Sequence, residues 1–599
     1  MSLELFNDAA ALAPPRVTRR DLGDGAFVLS HPEPLQPFSR CVGDWLEHWA
    51  QTTPEAPFLS ERDAGGSWRS LNYGQTRAII GRVAQGLLDL ALPAGKPVVV
   101  LSDNSVDHAL LALACMHVGR PVCSVSSAYT RLTKDHARIH AILDTLDPAL
   151  VYASDPKVYG AVVASWSRRV PAVFSVDALS YPGAIAFDAL AGAAETPAVM
   201  QAFAAIRPEH HAKYLLTSGS TGHPKVVINT HRMLTANQQQ VAQVWPFVTR
   251  HPLRLLDWLP WSHTFGGNHN FNMVLAHGGS LAIDEGRPAP GLIEKSVANL
   301  REVRPNFYFN VPRGLDLLLP FLEQDAAFAS AFFEPLEGIF YAAAALPQSL
   351  WERIVAVARS ARDRPLWFTS AWGATETAPA VTSVHWAIDR AGCIGAPLPG
   401  VELKFVPNGS KLELRVRGPN VFPGYRNAPQ VTAEAFDDEG FYLIGDAGRL
   451  VDPVDPCKGI AFDGRVAEDF KISSGTWISV GTLRVNAVSA LAPFAADAVV
   501  TGHDRDEVGL LVFPSPQARA TPPDELRPMI AAALRAMQAQ GVGSSQSPTR
   551  VLLLDEPPSV DAGEITDKGY VNQRAVLERR AAEVAALYAQ PANPRVIRI

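Results

Sequence analysis

The chain has 599 residues, 47% of them hydrophobic and 19% charged, enough apolar material for several packed cores and too little charge for a disordered polymer. Lys+Arg 53 against Asp+Glu 60 leaves a net charge of -7, so bulk electrostatics offer no attraction for nucleic acid or an anionic membrane surface. The five cysteines (Cys41, Cys115, Cys123, Cys393 and Cys457) show neither CxxC nor Cys/His metal spacing, and no apolar run approaches a membrane span. A reduced, cytoplasmic protein without stable membrane association is the expectation, since the N-terminus also carries Glu4 and Asp8 and no long apolar core.

In chain order, Ile80, Val83, Leu87 and Leu88 recur at helical spacing, Val98 to Leu101 reads as a strand, and Ala109 to Val118 as an apolar helix stopped by Gly119. Pro121 to Val125, Leu150 to Tyr152 and Tyr214 to Leu216 continue the strand-like runs, which is α/β organisation. Residues 401 to 417 alternate as antiparallel strands do. After residue 467 the character changes. Ala496 to Val500 and Gly509 to Phe513 predict strands, Thr521, Pro522 and Asp524 a helix start, and Gly541 to Ser547 a polar loop, together a compact α+β unit.

Thr217 to Lys225 reads Thr-Ser-Gly-Ser-Thr-Gly-His-Pro-Lys. Its glycines let backbone N–H groups approach a ligand closely, its hydroxyls donate hydrogen bonds, and Lys225 supplies a mobile positive charge, a composition suited to a polyphosphate. The apolar run before it places the loop at a strand's C-terminal edge, a usual address for a nucleotide. It is not the kinase or ATPase P-loop, because Lys225 follows Pro224 and precedes Val226 rather than sitting in Gly-Lys-Ser/Thr.

The stretch resembles the phosphate loop of the adenylate-forming superfamily of acyl- and aryl-CoA synthetases, luciferases and peptide-synthetase adenylation domains. Further motifs follow in that superfamily's order. In Ser370 to Thr377, Ser-Ala-Trp-Gly-Ala-Thr-Glu-Thr, the resemblance lays Trp372 on adenine, with Gly373 and Ala374 beside it, sets Thr375 against the α-phosphate and gives Glu376 to magnesium. A hard oxygen ligand is what magnesium takes. In Gly440 to Gly448, Asp446 takes the ribose hydroxyls, with Ile444 where Ser or Thr is usual. Arg465 is the ribose-contacting arginine, Ala467 two residues on is the hinge, and Gly475 lies on the loop that lines the CoA tunnel. Lys568, the one lysine after Lys471, matches the C-terminal lysine that reaches the substrate carboxylate and α-phosphate during adenylation, where its charge acts on the transition state. The nucleotide set is therefore Thr217, Ser218, Gly219, Ser220, Thr221, Gly222, Lys225, Ala344, Trp372, Gly373, Ala374, Thr375, Asp446 and Arg465. Lys568, Thr375, Glu376 and His263 form the catalytic set.

Leu259 to Gly266 matches the segment whose His263 and Phe265 border the acid, and Asn310-Val311-Pro312 and Tyr341 to Leu346 match further walls, including Ala343. The small Ala342 to Ala345 leave room for a flat ring, while Phe307 and Phe309 could pack on it or belong to the core. Thr566 to Arg574 and Ser473 to Gly481 look like bacterial feruloyl-CoA synthases and related aryl-CoA ligases. The resemblance implies a large N-terminal α/β domain, residues 1–466, of two stacked αβ layers plus a β-rich subdomain, and a small mobile α+β domain, residues 467–599. It implies ATP, Mg2+ and coenzyme A, a hydroxycinnamic acid substrate, and a monomer or homodimer. The other readings are a benzoate- or fatty-acid-CoA ligase, a carrier-protein-loading adenylation enzyme and a luciferase-like oxidoreductase.

Overall fold

The apolar runs Val98–Leu101, Val122–Val125 and Leu150–Ala153 form parallel strands in which every residue is buried. The structure is a computed structural model that describes residues 4–599 apart from 132, 134, 218–223, 290, 410, 475, 541–546, 560–561 and 566–570. Runs that are apolar throughout suit a sheet covered on both faces. Accordingly Val98 and Val100 enter one core, while Val99 and Leu101 enter another on the opposite face. The sheet has seven strands, ordered Lys225–Thr230, His211–Thr217, Val122–Val125, Val98–Leu101, Leu150–Ala153, Ala172–Phe174 and Ile185–Ala186. Lys225–Thr230 runs antiparallel to His211–Thr217, with Thr217 opposite Lys225, so Lys225 opens a strand and the two ends of the Thr217 to Lys225 motif face each other.

The helix expected from Ala109 runs instead over Val106–His117, because the Ser105 side chain accepts a hydrogen bond from the His108 N–H and caps it three residues earlier. Tyr73–Asp89 carries Ile80, Val83 and Leu87 into the first core, as their spacing predicts.

A second, eleven-stranded sheet begins with three parallel strands, Phe307–Asn310, Gly338–Tyr341 and Trp367–Gly373, and continues antiparallel through Ala380–Ser383, Cys393–Pro397, Ile460–Arg465 and Tyr442–Leu450. Lys411–Arg417, Glu402–Asn408, Ala26–Ser30 and Thr18–Gly23 complete it. The β-rich part is thus a continuation of the second layer's sheet rather than a sheet of its own. Residues 402–417 pair antiparallel, as the alternation predicts. A four-stranded sheet of Arg254–Asp257, Ser280–Ile283, Pro57–Arg62 and Trp68–Asn72 abuts the Phe307 edge, where Asn306 N donates to Arg254 O at 3.1 Å.

Ile460–Arg465 is the last strand of the large sheet in chain order, and exposed Ala467 lies in the turn before the hairpin Phe470–Lys471 and Trp477–Ile478. Beyond it, Ala495–Thr501, Val508–Pro514, Pro548–Leu553 and Ile597–Arg598 make a four-stranded sheet. Strand alternation sends Ala498, Val500 and Leu510 to one core under the helices Val480–Ala490 and Pro523–Gln540, and Val499, Leu511 and Phe513 to another under Gln573–Arg579 and Ala581–Leu587. Lys411 of the large sheet donates to Ser479 Oγ at 3.2 Å and forms an ion pair with buried Asp469, tying the two units across the turn.

The ends of the segment that carries Lys568 are pinned by a buried carboxylate. Glu564 has no exposed side-chain surface and accepts hydrogen bonds from Arg579 Nη1 at 2.7 Å, Arg580 Nε at 2.7 Å and Ser559 N at 2.9 Å, while Ile565 bridges Val571. Removing one partner strands a buried charge, so Arg580→Met is expected to destabilise the small unit by about 3 kcal/mol, read as a lowered urea midpoint.

Candidate active site

Three neighbouring parallel strands deliver their C-terminal ends to one edge of the second sheet. Asn310 pairs with Tyr341 and Tyr341 with Ser370, so Val311 and the Ala342 to Ala345 loop leave the sheet beside Trp372, which stays paired with Thr382 on the far side of its strand. This is where open α/β sheets bind ligands. Ala343 holds φ +74, a left-handed conformation that costs a residue with a Cβ about 1 kcal/mol. Ala343 and Ala344 are exposed.

The chain then turns abruptly. A Cβ on Gly373 would lie 1.8 Å from Pro379 O, so only glycine fits there, and Thr375–Thr377 follows as a 3-10 turn. Two buried amides hold this turn. Asn420 Nδ2 donates to Thr377 O at 2.8 Å and Ala380 O at 3.0 Å, and Asn237 pairs with both backbone groups of Ala380 at 2.7 and 3.1 Å. Thr375 and Glu376 are thereby fixed and buried.

Trp372, Asp446 and Arg465 form one group. Trp372 Nε1 donates to Asp446 Oδ2 at 2.8 Å, and Asp446 pairs across the sheet with Arg465, whose Nε stands 3.4 Å from Asp446 Oδ1. Oδ1 is buried and accepts no hydrogen bond among the described residues, which leaves an acceptor for a ligand hydroxyl. Burial pushes this carboxyl up, against the opposing pull of Arg465 and Trp372.

Glu376 belongs to a second group. Tyr425 Oη donates to Glu376 Oε1 at 3.0 Å, and the Lys225 ammonium stands 4.9 Å from the centre of the Tyr425 ring. Tyr442 shares a hydrogen bond with Tyr425, and burial first, then the charge of Glu376, the neighbouring Tyr425 and last the charge of Asp446, raise its phenol. Lys225, Glu376, Asp446 and Arg465 therefore converge on one locus. Among the described residues no cluster of three His, Cys, Asp or Glu could cage a metal ion. A single buried carboxylate is the donor set expected where magnesium keeps its other positions for water and phosphate, so the site fits that ion.

The segment expected to border the acid forms a π-turn, Phe265–Asn270, continued by the helix Phe271–Ala276. Such turns concentrate at functional sites. His263 Nδ1 accepts from Phe265 N at 3.2 Å, and the Phe265 ring lies 5.4 Å from Phe340 and 6.5 Å from Phe309. Phe309 faces this cluster, whereas Phe307 packs among Trp245, Phe247 and Trp367 and is core. His269 stacks on Phe340 at 5.0 Å, and burial lowers its pKa to about 4, keeping it neutral. Ser218, Gly219, Ser220, Thr221, Gly222, Gly475 and Lys568 lie outside the described residues.

Motif reading missed Tyr425, Asn237, Asn420 and Lys213. Lys213 is two strand positions before Leu215 and buried, and its ammonium donates to Gly267 O at 3.2 Å within the π-turn, without an ion pair to any described carboxylate. A lysine inside an otherwise apolar strand was the signal available. Burial brings its pKa down to about 8.

A family model described as AMP-binding enzyme matches residues 46–426, and one described as AMP-binding enzyme C-terminal domain matches residues 484–592. The chain belongs to the AMP-binding enzyme family. A long-chain-fatty-acid–CoA ligase of Mycobacterium bovis is 26% identical over 88% of this chain and 94% of its own. A 3-hydroxybenzoate–CoA ligase of Aromatoleum sp. is 24% identical over 86% and 93%. The adenylation domain of a carboxylate reductase from Mycobacterium chelonae superposes with a TM-score of 0.72 at 21% identity, covering 92% of this chain and 90% of that one, and so shares the fold. As an AMP-binding enzyme the chain shares its family with these coenzyme A ligases. Among the described residues no helix is long and apolar enough to cross a membrane.

Lys213 gives the site a pH signature. A lysine whose folded pKa is depressed penalises the fold at neutral pH and ceases to do so as pH rises from about 8 towards the unfolded value near 10.5. Lys213→Met is therefore expected to raise stability at pH 7 by roughly 3 kcal/mol before the lost hydrogen bond is subtracted, at about 1.4 kcal/mol per pKa unit. The gain should shrink by pH 9.5, which paired thermal melts at the two pH values would measure.

Proposed function

We propose that the chain ligates an aromatic, hydroxycinnamate-like acid to coenzyme A through a bound acyl-adenylate. The observation that carries this reading is the convergence of Lys225, Glu376, Asp446 and Arg465 through Tyr425 and Tyr442. In this reading Lys225 and the loop Thr217 to Gly222 hold the phosphates, Trp372 lies on adenine beside Gly373, Ala374 and Ala344, and Oδ1 of Asp446, which accepts no hydrogen bond among the described residues, accepts from a ribose hydroxyl with Arg465 beside it. Glu376 would hold magnesium, which when bound draws negative charge from the phosphates. Thr375 contacts the α-phosphate, where the acid's carboxylate attacks and pyrophosphate departs. His263 borders the acid, and Phe265, Val311 and Ala343 line its slot.

Lys568 places positive charge on the carboxylate and α-phosphate in this first step. A turn of residues 467–599 about Ala467 then withdraws it and brings the Gly475 loop towards the thiol of coenzyme A, which displaces AMP from the adenylate. The exposure of Ala467 and its position between Arg465 and Phe470 support the pivot.

The rings of Phe265, Phe309, Phe340 and His269 around the π-turn favour an aromatic acid. The long-chain-fatty-acid–CoA ligase relative favours a second reading, an aliphatic acid in the same slot. A pyrophosphate-exchange panel of hydroxycinnamic, benzoic and fatty acids, repeated with coenzyme A, separates them. Ferulate-like acids should give the highest kcat/KM, and a fatty-acid preference would overturn the aromatic reading. Lys568→Ala is expected to lose about a hundredfold or more in acid-dependent exchange, a typical cost for removing one transition-state charge contact, while still transferring supplied acyl-adenylate to coenzyme A. Equal losses in both half-reactions would refute the assigned role.

A further inference from the structure

Tyr425 touches both groups assigned to magnesium and the phosphates, yet it belongs to neither motif. Its backbone segment is laced to the first sheet. Tyr425 bridges Val227, Ile228 N donates to Gly424 O at 3.3 Å, and Arg426 N donates to Val226 O at 2.9 Å. Arg426 reaches further into the same lobe, donating to Leu146 O at 2.8 Å. Three residues earlier the segment is tied to the second sheet, where Phe422 N donates to Glu376 O at 2.8 Å. Gly424 permits the path between them, since φ is +146 and a Cβ would stand 2.4 Å from Thr432 Cγ2.

The Tyr425 side chain repeats this bridge. Its ring receives the Lys225 ammonium from the strand that follows the phosphate loop, and its hydroxyl donates to Glu376 Oε1. An ammonium attracted to a ring face is held less tightly than one locked in a carboxylate pair, so it can swing to an arriving phosphate. A hydrogen bond to one carboxylate oxygen fixes the plane of the carboxylate and the direction of its other oxygen.

We propose that Tyr425 is a positioning residue for the magnesium–phosphate centre, orienting Glu376 through its hydroxyl and parking Lys225 on its ring. The inference rests on the reading of Glu376 as the magnesium residue and adds the group that aims it. Its two functions are chemically separable, because phenylalanine keeps the ring and loses the hydroxyl, while leucine loses both.

The test is ATP binding to the whole chain by isothermal titration calorimetry, with and without magnesium, on Tyr425→Phe, Tyr425→Leu and Glu376→Gln. Tyr425→Phe should bind ATP without magnesium within about twofold of the parent, yet need roughly tenfold more magnesium for the same enhancement, as expected when a hydrogen bond to a charged group is lost. Tyr425→Leu should in addition weaken magnesium-free ATP by about threefold, through loss of the ring under Lys225. An unchanged magnesium titration in Tyr425→Phe overturns the inference. So does a parallel loss of binding with and without magnesium alongside a lowered melting temperature, which marks a packing role. If Glu376→Gln itself leaves the magnesium enhancement intact, the underlying reading of Glu376 fails. If Glu376→Gln abolishes the enhancement and Tyr425→Phe does not shift it, that reading stands and the role of Tyr425 alone is rejected.

Discussion

Two sheets that fold from separate stretches of chain must present their edges to one nucleotide, and the main-chain lacing of Phe422 to Arg426 is what holds them in register. The hydrogen bonds to Val226 and Glu376 fix residues from different sheets relative to each other without depending on long, flexible side chains. Backbone contacts of this kind lose little entropy on forming, because their groups are already ordered by the strands. The phosphate-loop strand and the Thr375–Thr377 turn are thereby parts of one rigid frame. The ligand then need not bring the lobes together, which favours catalysis by preorganised groups over catalysis by closure of a loose cleft.

The same frame tolerates an unusual density of buried polar groups. Asn237, Asn420 and Gln240 interlock behind the Glu376 turn, Asn268 Nδ2 donates to Asn229 Oδ1 at 2.6 Å, and Asn270 Nδ2 donates to Asp257 at 2.8 Å. Burial pushes the Asp257 carboxyl up to about 7. Such networks contribute little net stability but penalise any alternative packing that would leave members unpaired. Here they surround the π-turn and the 3-10 turn, the two irregular backbone segments on which acid and nucleotide recognition are proposed to depend. Irregular backbone has fewer repeating hydrogen bonds of its own, so side-chain amides supply them.

Much of the scaffold was legible in the chain because its determinants are local. Four-residue apolar runs such as Val98–Leu101 announce strands buried on both faces, and the alternation near residues 402–417 announces antiparallel pairing. The candidate motifs stand out for a related reason, since each gathers its polar residues into one short run, and the structure brings Trp372, Asp446 and Arg465 into one group and Lys225 and Glu376 onto Tyr425. Tyr425 and Lys213 do not stand out, because what distinguishes them is what lies across space. An isolated Gly-Tyr reads as a turn, and a lysine in a strand reads as a solvated edge, until Glu376 and Gly267 are placed beside them. The helix start at Val106 was missed because a single cap, Ser105, outweighed the hydropathy pattern used to place it. The continuity of the β-rich part with the second sheet depends on strand neighbours far apart in sequence, which periodicity does not encode.

That continuity bears on how the chain reaches its native state during synthesis. The hairpin of Thr18–Gly23 and Ala26–Ser30 enters the large sheet by pairing Val28 with Lys404. At about 5–20 residues per second, the ribosome needs on the order of tens of seconds to make that partner, and during this interval Phe27, Val28 and Leu29 form an unpaired apolar edge. The seven-stranded sheet, whose strands all lie between residues 98 and 230, can assemble meanwhile. The N-terminal ribbon thus waits unpaired while the seven-stranded sheet forms, and the charges of Arg19, Arg20 and Asp21 beside it are well placed to discourage pairing with other chains.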